Sequence, residues 1–328
     1  MRVLVTGGAG FIGSHYVREL VSGSYPAFAG AEVVVLDKLT YAGSETNLAP
    51  VAGKFEFVRG DICDAAVVAE QMRGTDVVVH FAAESHVDRS ITGSADFVLT
   101  NVLGTQTLLQ GALDAGVGRF VHVSTDEVYG SIEEGSWTET HVLEPNSPYS
   151  ASKASSDLLA RAFHRTHGLP VSITRCSNNY GPYQFPEKVI PLFVTNLIDG
   201  EKVPLYGDGL NVRDWLHVDD HCRGIQLVAE GGRPGEIYNI GGGTELTNRE
   251  LTERLLAATG RDWSAVEPVQ DRLGHDRRYS VDISKISSEL GYAPRVDFTA
   301  GLADTVEWYR ENRAWWEPLK RRAAPARG

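Results

Sequence analysis

The feature that most constrains the fold is the run Gly7-Gly8-Ala9-Gly10-Phe11-Ile12-Gly13, which joins an apolar segment to an amphipathic one. Arg2-Val3-Leu4-Val5-Thr6 before it reads as a strand, and Phe11–Val21 after it has helical periodicity. The spacing is GxxGxxG, with Gly7, Gly10 and Gly13 as the fixed points. Glycines let a backbone turn tightly and approach a pyrophosphate, which then rests on the N-terminus of the helix. Asp37 closes the second apolar run, Val33–Leu36, about 20 residues further on, as the dinucleotide-binding fingerprint requires. A glycine cluster alone would indicate no more than a turn. The strand before it, the helix after it and the distant carboxylate are what imply a dinucleotide.

The first half of the chain alternates strand-like and helix-like stretches. Strands are expected at Val3–Thr6, Val33–Leu36, Phe55–Arg59, Val77–His80, Phe120–Ser124 and Val171–Arg175. Helices are expected at Phe11–Val21, Ala65–Met72, Ser94–Ala115 and Pro148–His167. Such alternation implies βαβ units, and near-continuous apolar strands imply helices on both faces of a parallel sheet. The fold class is therefore α/β, a Rossmann-type doubly wound parallel sheet with a smaller mixed α/β C-terminal lobe. After about residue 176 glycine- and proline-rich loops loosen the pattern, with helices at Val218–Ala229, Asn248–Ala258 and Thr299–Asn312. The division expected is 1–176 for the dinucleotide domain, with later segments free to return to it, 177–320 for the lobe over the sheet's carboxyl edge, and a disordered tail over 321–328.

Net charge is −12, which argues against nucleic acid as the main partner while leaving room for a locally basic pocket. Cys63, Cys176 and Cys222 are scattered and form no CxxC, so neither a metal site nor a disulfide framework is expected. No apolar run approaches the roughly 20 residues of a membrane span, and a cytoplasmic protein is the expectation.

Asp37 also bears on which dinucleotide binds. A carboxylate there accepts hydrogen bonds from the ribose hydroxyls of NAD and repels the 2′-phosphate of NADP, whereas Lys38 beside it is a mild signal the other way. NAD is the expected cofactor. Asp61 and Ile62, after the third strand, fall near the adenine, although Asp61 reads equally well as a loop cap. Small residues in Phe81-Ala82-Ala83 let the backbone pass close to the cofactor.

Tyr149 and Lys153 lie four residues apart on an expected helix and share a face. An ammonium near a phenol, together with the positive nicotinamide, lowers the phenol pKa, so that Tyr149 can take a proton from an alcohol as its carbon is oxidised. Thr125-Asp126-Glu127 follows the fifth strand, and ligand sites of open parallel sheets lie at carboxyl strand ends. Alone, the two acids read as helix caps or solvated loop residues. Beside a redox pair they are an acid and a base, the means to eliminate water.

Motifs through almost the whole chain resemble one group of proteins. They are VTGGAGFIG (5–13), DKLTYAG (37–43), AAESHVDRS (82–90), STDEVYG (124–130), YSASK (149–153), NNYGPYQFPEKVIP (178–191), RDWL (213–216) and GHDRRY (274–279). The pattern resembles the extended short-chain dehydrogenase/reductases, within them the sugar-nucleotide epimerase/dehydratase family, and there the branch that acts on dTDP-glucose. Similarity to GDP-mannose and CDP-glucose dehydratases is weaker in the second half, and the related epimerases lack the Asp126-Glu127 pair.

The resemblance implies that Leu39, Thr40, Ser85, Thr100 and Asn179 join the cofactor set. It implies a nucleotide-sugar set of Ser85, Thr125, Asn178, Lys188, Val189, Pro204, Tyr206, Arg213, Asn248, Arg272 and His275. The family often has Pro where Leu273 stands, which bears on the shape of that loop. The implied reaction converts dTDP-glucose to dTDP-4-keto-6-deoxyglucose and water. In it Tyr149 acts at the C4 hydroxyl, Glu127 takes the C5 proton, Asp126 protonates the departing C6 hydroxyl and Thr125 orients the sugar near O4. NAD ends each turnover as it began and stays bound. Apolar residues in excess on Ser94–Ala115 and Pro148–His167 imply a homodimer, as in the family. Two other readings are a 4-epimerase or decarboxylase, against which Asp126-Glu127 argues, and a catalytically dead dinucleotide sensor, against which the intact Tyr149/Lys153 pair argues.

Overall fold

The structure is a computed structural model and describes residues 1–323. In chain order the strands are β1 (Arg2–Thr6), β2 (Glu32–Asp37), β3 (Glu56–Arg59), β4 (Val77–His80), β5 (Arg119–Thr125), β6 (Val171–Cys176), β7 (Asn178–Tyr180), β8 (Val203–Tyr206), β9 (Val212–His217), β10 (Ile237–Ile240), β11 (Glu245–Thr247) and β12 (Val266–Val269). Seven form one parallel sheet in the order β10-β6-β5-β4-β1-β2-β3. The order reverses at β1, whose neighbours are β2 and β4, and the glycine loop leaves β1 at that switch point.

Alternation along each strand builds a core on each face. Val3, Val5, Val33, Val35, Val77, Val79, Val121 and Val123 pack on one side, and Leu4, Val34, Leu36, Val78, Phe120, Val171 and Ile173 on the other. The first of these cores also takes up Val218, Cys222, Ile225, Val228 and Ala229 of the helix Val218–Gly231. That helix and β10 thus return to the large sheet from the second half of the chain. The smaller lobe has its own core, which includes Ile190, Phe193, Trp215, Leu251, Leu255, Phe298, Tyr309 and Trp316.

The 95–115 stretch is helical as expected, but not uniformly so. Ala95–Phe97 and Thr105–Ala115 are α-helical, and Val98–Gly104 between them is a π-helix. Asn101, buried within the π segment, accepts from the Glu84 amide at 2.9 Å and donates to the Glu84 carbonyl at 3.0 Å and to Ser152 Oγ at 2.8 Å. The expected disordered tail needs correction at its start. The last helix, Arg313–Ala323, carries Arg321 onward without a break, and Lys320 within it bonds Asp199 and Glu201. The remainder of that tail, 324–328, lies outside the described residues.

Candidate active site

The turn after β1 needs glycine for steric reasons. Gly7 has φ +70, and a Cβ there would stand 2.5 Å from the Ala82 amide nitrogen. A Cβ on Gly13 would meet the Gly7 carbonyl oxygen at 2.3 Å. The loop is therefore pressed against the chain leaving β4, which leaves bare backbone at the start of the helix Phe11–Ser22. Asp37 is oriented beside it by the amides of Ala9 (2.9 Å) and Leu39 (2.8 Å). Burial pushes its carboxyl up, and those two N–H groups oppose the shift. Lys38 pairs with Asp61 at 2.6 Å, so its charge is neutralised rather than offered to a phosphate. Asp61 also accepts from the Cys63 amide at 2.9 Å, and so serves as a loop cap as well as lining the cleft.

A cavity of about 310 Å³ runs from this loop to the ends of β5 and β6. Gly7, Gly10, Phe11, Ile12, Gly13, Asp37, Lys38, Thr40, Asp61, Ile62, Phe81, Ala82, Ala83, Ser85, Thr100, Thr125, Tyr149, Lys153 and Asn179 all line it. Leu39 does not. Its backbone turns through φ +56 to bond Asp37, and its side chain packs on the sheet core. A second cavity, of about 1160 Å³, shares Glu127, Asn178, Glu187 and Lys188 with the first. Its wall also holds Val189, Pro204, Tyr206, Arg213, Asn248, Arg272 and His275. Candidate cofactor and nucleotide-sugar residues, scattered over the sequence, thus line two adjoining spaces, with Glu127 at the junction and Asp126 beside it in the first.

Local structure accounts for the placement of the catalytic candidates. Ser147 and Ser150 form a reciprocal cap and Pro148 takes the first turn, so the helix begins one residue before Tyr149. Lys153, a turn later, is buried and donates from Nζ to the Val123 carbonyl at 2.9 Å. Burial lowers its pKa to about 8, with the Asp157 charge as the main opposing influence. Thr125 Oγ1 caps the turn after β5 by accepting from the Glu127 amide at 3.2 Å, and donates to Asp126 at 3.3 Å.

Asp126 is 2% exposed, and its Oδ2 has no hydrogen-bond partner among the described residues. Burial first, then the charges of Glu127 and Asp214, raise its pKa well above the ordinary carboxylate value and favour the protonated acid. Burial also raises Glu127, but the cations Arg272, Lys188 and Arg213 oppose the shift. Two adjacent carboxyls are thus pushed apart in character, one toward an acid and the other toward a base. Tyr149 differs from expectation. Within the protein, burial and then the Glu127 charge push its phenol well up, and the Lys153 ammonium bonds the Val123 carbonyl instead. The depression expected of it rests on the positive charge of the cofactor.

At the nucleotide end, Lys188 Nζ donates to the Ser85 carbonyl at 2.7 Å, which ties the second lobe to the chain beyond β4. Arg213 is buried over the Tyr279 ring at 4.1 Å and donates to the Asp276 carbonyl at 2.9 Å. His275 is bonded by Asp271 at 2.6 Å, while Leu273 is 76% exposed. Sequence reasoning missed a cluster at the junction of the cavities. Glu187 accepts from Arg89 Nε at 3.1 Å, and that guanidinium lies 3.9 Å over the Tyr41 ring. Both residues stand inside motifs already noted (HVDRS and FPEKV), but nothing local links positions 98 residues apart.

A dinucleotide cradle, a Tyr–Lys pair and a poised acid and base at one sheet edge define the class: an NAD-dependent enzyme of the short-chain dehydrogenase/reductase type, built for nucleotide sugars. The family model described as GDP-mannose 4,6 dehydratase matches residues 4–305. The dTDP-glucose 4,6-dehydratase of Streptomyces antibioticus is 66% identical, with 100% of this chain and 99% of that protein covered. The crystal structure of DesIV, dTDP-glucose 4,6-dehydratase from Streptomyces venezuelae with NAD bound, is 69% identical and superposes with a TM-score of 0.96 over 97% of this chain and 100% of that one. The chain belongs to the dTDP-glucose 4,6-dehydratases. Fold alone does not separate this family from its neighbours. The UDP-glucose 4-epimerase of Thermus thermophilus, in complex with NAD, reaches a TM-score of 0.88 at 34% identity, covering 95% of this chain and 100% of that one.

Proposed function

We propose that the protein converts dTDP-glucose to dTDP-4-keto-6-deoxyglucose and water, as an NAD-dependent hydro-lyase of deoxysugar synthesis. The observation that carries this reading is Asp126, a buried carboxyl with an unpartnered Oδ2 among the described residues, next to Glu127 in the cavity that Tyr149 and Lys153 also line. The glycine loop, Asp37 and the neutralised Lys38 fit NAD and would hold it. When bound, it supplies an acceptor for the C4 hydride and later returns that hydride to C6. Tyr149 takes the proton of the C4 hydroxyl while Thr125 orients the sugar. The C4 ketone acidifies the proton on C5, which Glu127 removes. Asp126 protonates the C6 hydroxyl as it leaves as water, and Glu127 restores the proton at C5. Tyr149 has then gained one proton and Asp126 has lost one, so solvent exchange resets the pair.

Lys188, Arg213 and Arg272 give an acidic protein the local cations that a diphosphate requires, and Pro204 and Tyr206 flank the base. The active unit is a homodimer. Val98, Leu99 and Leu103 on one long helix and Leu158 on another are exposed apolar residues, which a second copy would cover. Incubation of the protein with dTDP-glucose should give the absorbance of a keto sugar in alkali. Unchanged substrate would overturn the proposal.

A further inference from the structure

One turn beyond Lys153 on the same helix stands Asp157, wholly buried and outside both cavities. Its carboxylate accepts from Arg175 Nε at 2.8 Å and lies 3.3 Å from His122 Nε2. His122 is on β5 and Arg175 on β6, so one side chain ties the helix that carries Tyr149 and Lys153 to the two strands whose ends form the site. The tie is poorly built for stability alone. Arg175 Nη1 and Nη2 are buried with no hydrogen-bond partner among the described residues, although the guanidinium lies 4.8 Å over the Tyr129 ring. A buried ion pair often stabilises no more than apolar residues of its size.

The groups facing Lys153 indicate what else the pair does. They are Tyr149 and Asp157 on its own helix, His80 on β4, His122 on β5 and Cys176 on β6, with Asp126 and Glu127 on the same cavity wall and Arg175 on β6 behind Asp157. Burial pushes the two histidines down and the Asp126 carboxyl and the Cys176 thiol up, in each case away from the charged form. Burial also works against the Asp157 carboxylate, but the Arg175 charge and the His122 hydrogen bond hold its pKa at about 2. Asp157 is thus a fixed negative charge beside the ammonium, set back from the reacting atoms.

We propose that Asp157 is a positioning residue for the redox step: with Arg175 and His122 it seats the Tyr149/Lys153 helix on the sheet, and its charge keeps the Lys153 ammonium protonated. The inference rests on the reading of Tyr149 as the base and Lys153 as its cationic partner. It predicts two variants with opposite signs. Asp157→Asn removes a negative neighbour of Lys153, so the ammonium loses its proton at lower pH. Arg175→Met removes the cation that Asp157 pairs with and leaves Asp157 ionised at the alkaline pH that matters, so its charge acts on the ammonium uncompensated and the ammonium keeps its proton to higher pH. Both break the same ion pair, and a purely structural role would weaken both alike.

The experiment is the pH profile of C4 oxidation in the NAD-loaded enzyme, followed as single-turnover NADH absorbance. A second readout is the phenolate absorbance of Tyr149, taken as the difference from Tyr149→Phe. The alkaline limb should move down by about one pH unit in Asp157→Asn and up in Arg175→Met, with the Tyr149 phenol titrating higher in the first variant and lower in the second. An unmoved limb, or limbs that move together, would overturn the proposal and leave Asp157 as a structural tie. Should Asp157→Asn fail to fold, Arg175→Met decides alone: an upward shift supports the role, and no shift or a downward one refutes it. Wild-type C4 oxidation by Tyr149→Phe would instead overturn the underlying reading.

Discussion

Replacing Asp126 with Asn should stop the reaction between its two halves. Asp126 is 2% exposed, and burial, Glu127 and Asp214 shift its carboxyl toward the neutral acid. An amide therefore replaces an uncharged acid of the same shape, and its oxygen can still accept from Thr125 as Oδ1 does at 3.3 Å. No partner charge is stranded, so the fold and C4 oxidation should change less than about tenfold, within about 1.4 kcal/mol of barrier. The amide cannot deliver a proton to the departing hydroxyl. The whole contribution of a general acid is lost, about 10²–10⁴ in rate. In single-turnover mixing with dTDP-glucose, NADH absorbance should rise at close to the wild-type rate and then persist, where the wild type shows a brief transient. Equal slowing of the rise and the decay would refute the assignment. So would a decay at the wild-type rate.

Tyr149→Phe should slow C4 oxidation itself by at least about 100-fold while the purified protein still carries NAD, measured as absorbance rise on mixing and as NAD released on denaturation. Gly7→Val should yield protein without NAD, since its Cβ would fall 2.5 Å from the backbone of Ala82 at φ +70; NAD recovered at one per chain would contradict the geometry. Leu99→Glu with Leu103→Glu places charge on the exposed apolar helix face and should shift the mass measured by light scattering from dimer to monomer, whereas an unchanged mass would move the interface elsewhere.

Much of the architecture was legible because parallel strands covered on both faces are continuous apolar runs. Val77–His80 and Pro148–His167 fall where expected, the latter because Pro148 and the Ser147–Ser150 cap mark its start. The π segment Val98–Gly104 was not legible. Asn101 within it bonds Glu84 and Ser152, and no periodicity records a contact across 51 residues. The return of β10 to the edge of the large sheet was equally hidden, since a short run such as Ile237–Ile240 has no local mark of its parallel partner β6. In the site, residue types and order revealed Tyr149, Lys153 and the acids, but not their charge states. The upward shifts of Asp126 and of the Tyr149 phenol come first from burial and then from the Glu127 charge, with Asp214, remote in sequence, adding to the first. The Arg89–Glu187 contact and the Asp157–Arg175 pair belong to the same kind, local in space and remote in sequence.

In the proposed reaction a hydride leaves C4 and returns to C6 of the same sugar once water has been expelled. Proton and deuterium NMR of the product from dTDP-glucose carrying deuterium at C4, with no NAD added, follows that hydride. A C6 methyl group with one deuterium is the expected result. A product that keeps its C6 hydroxymethyl group, or a C6 methyl group without deuterium, would contradict it.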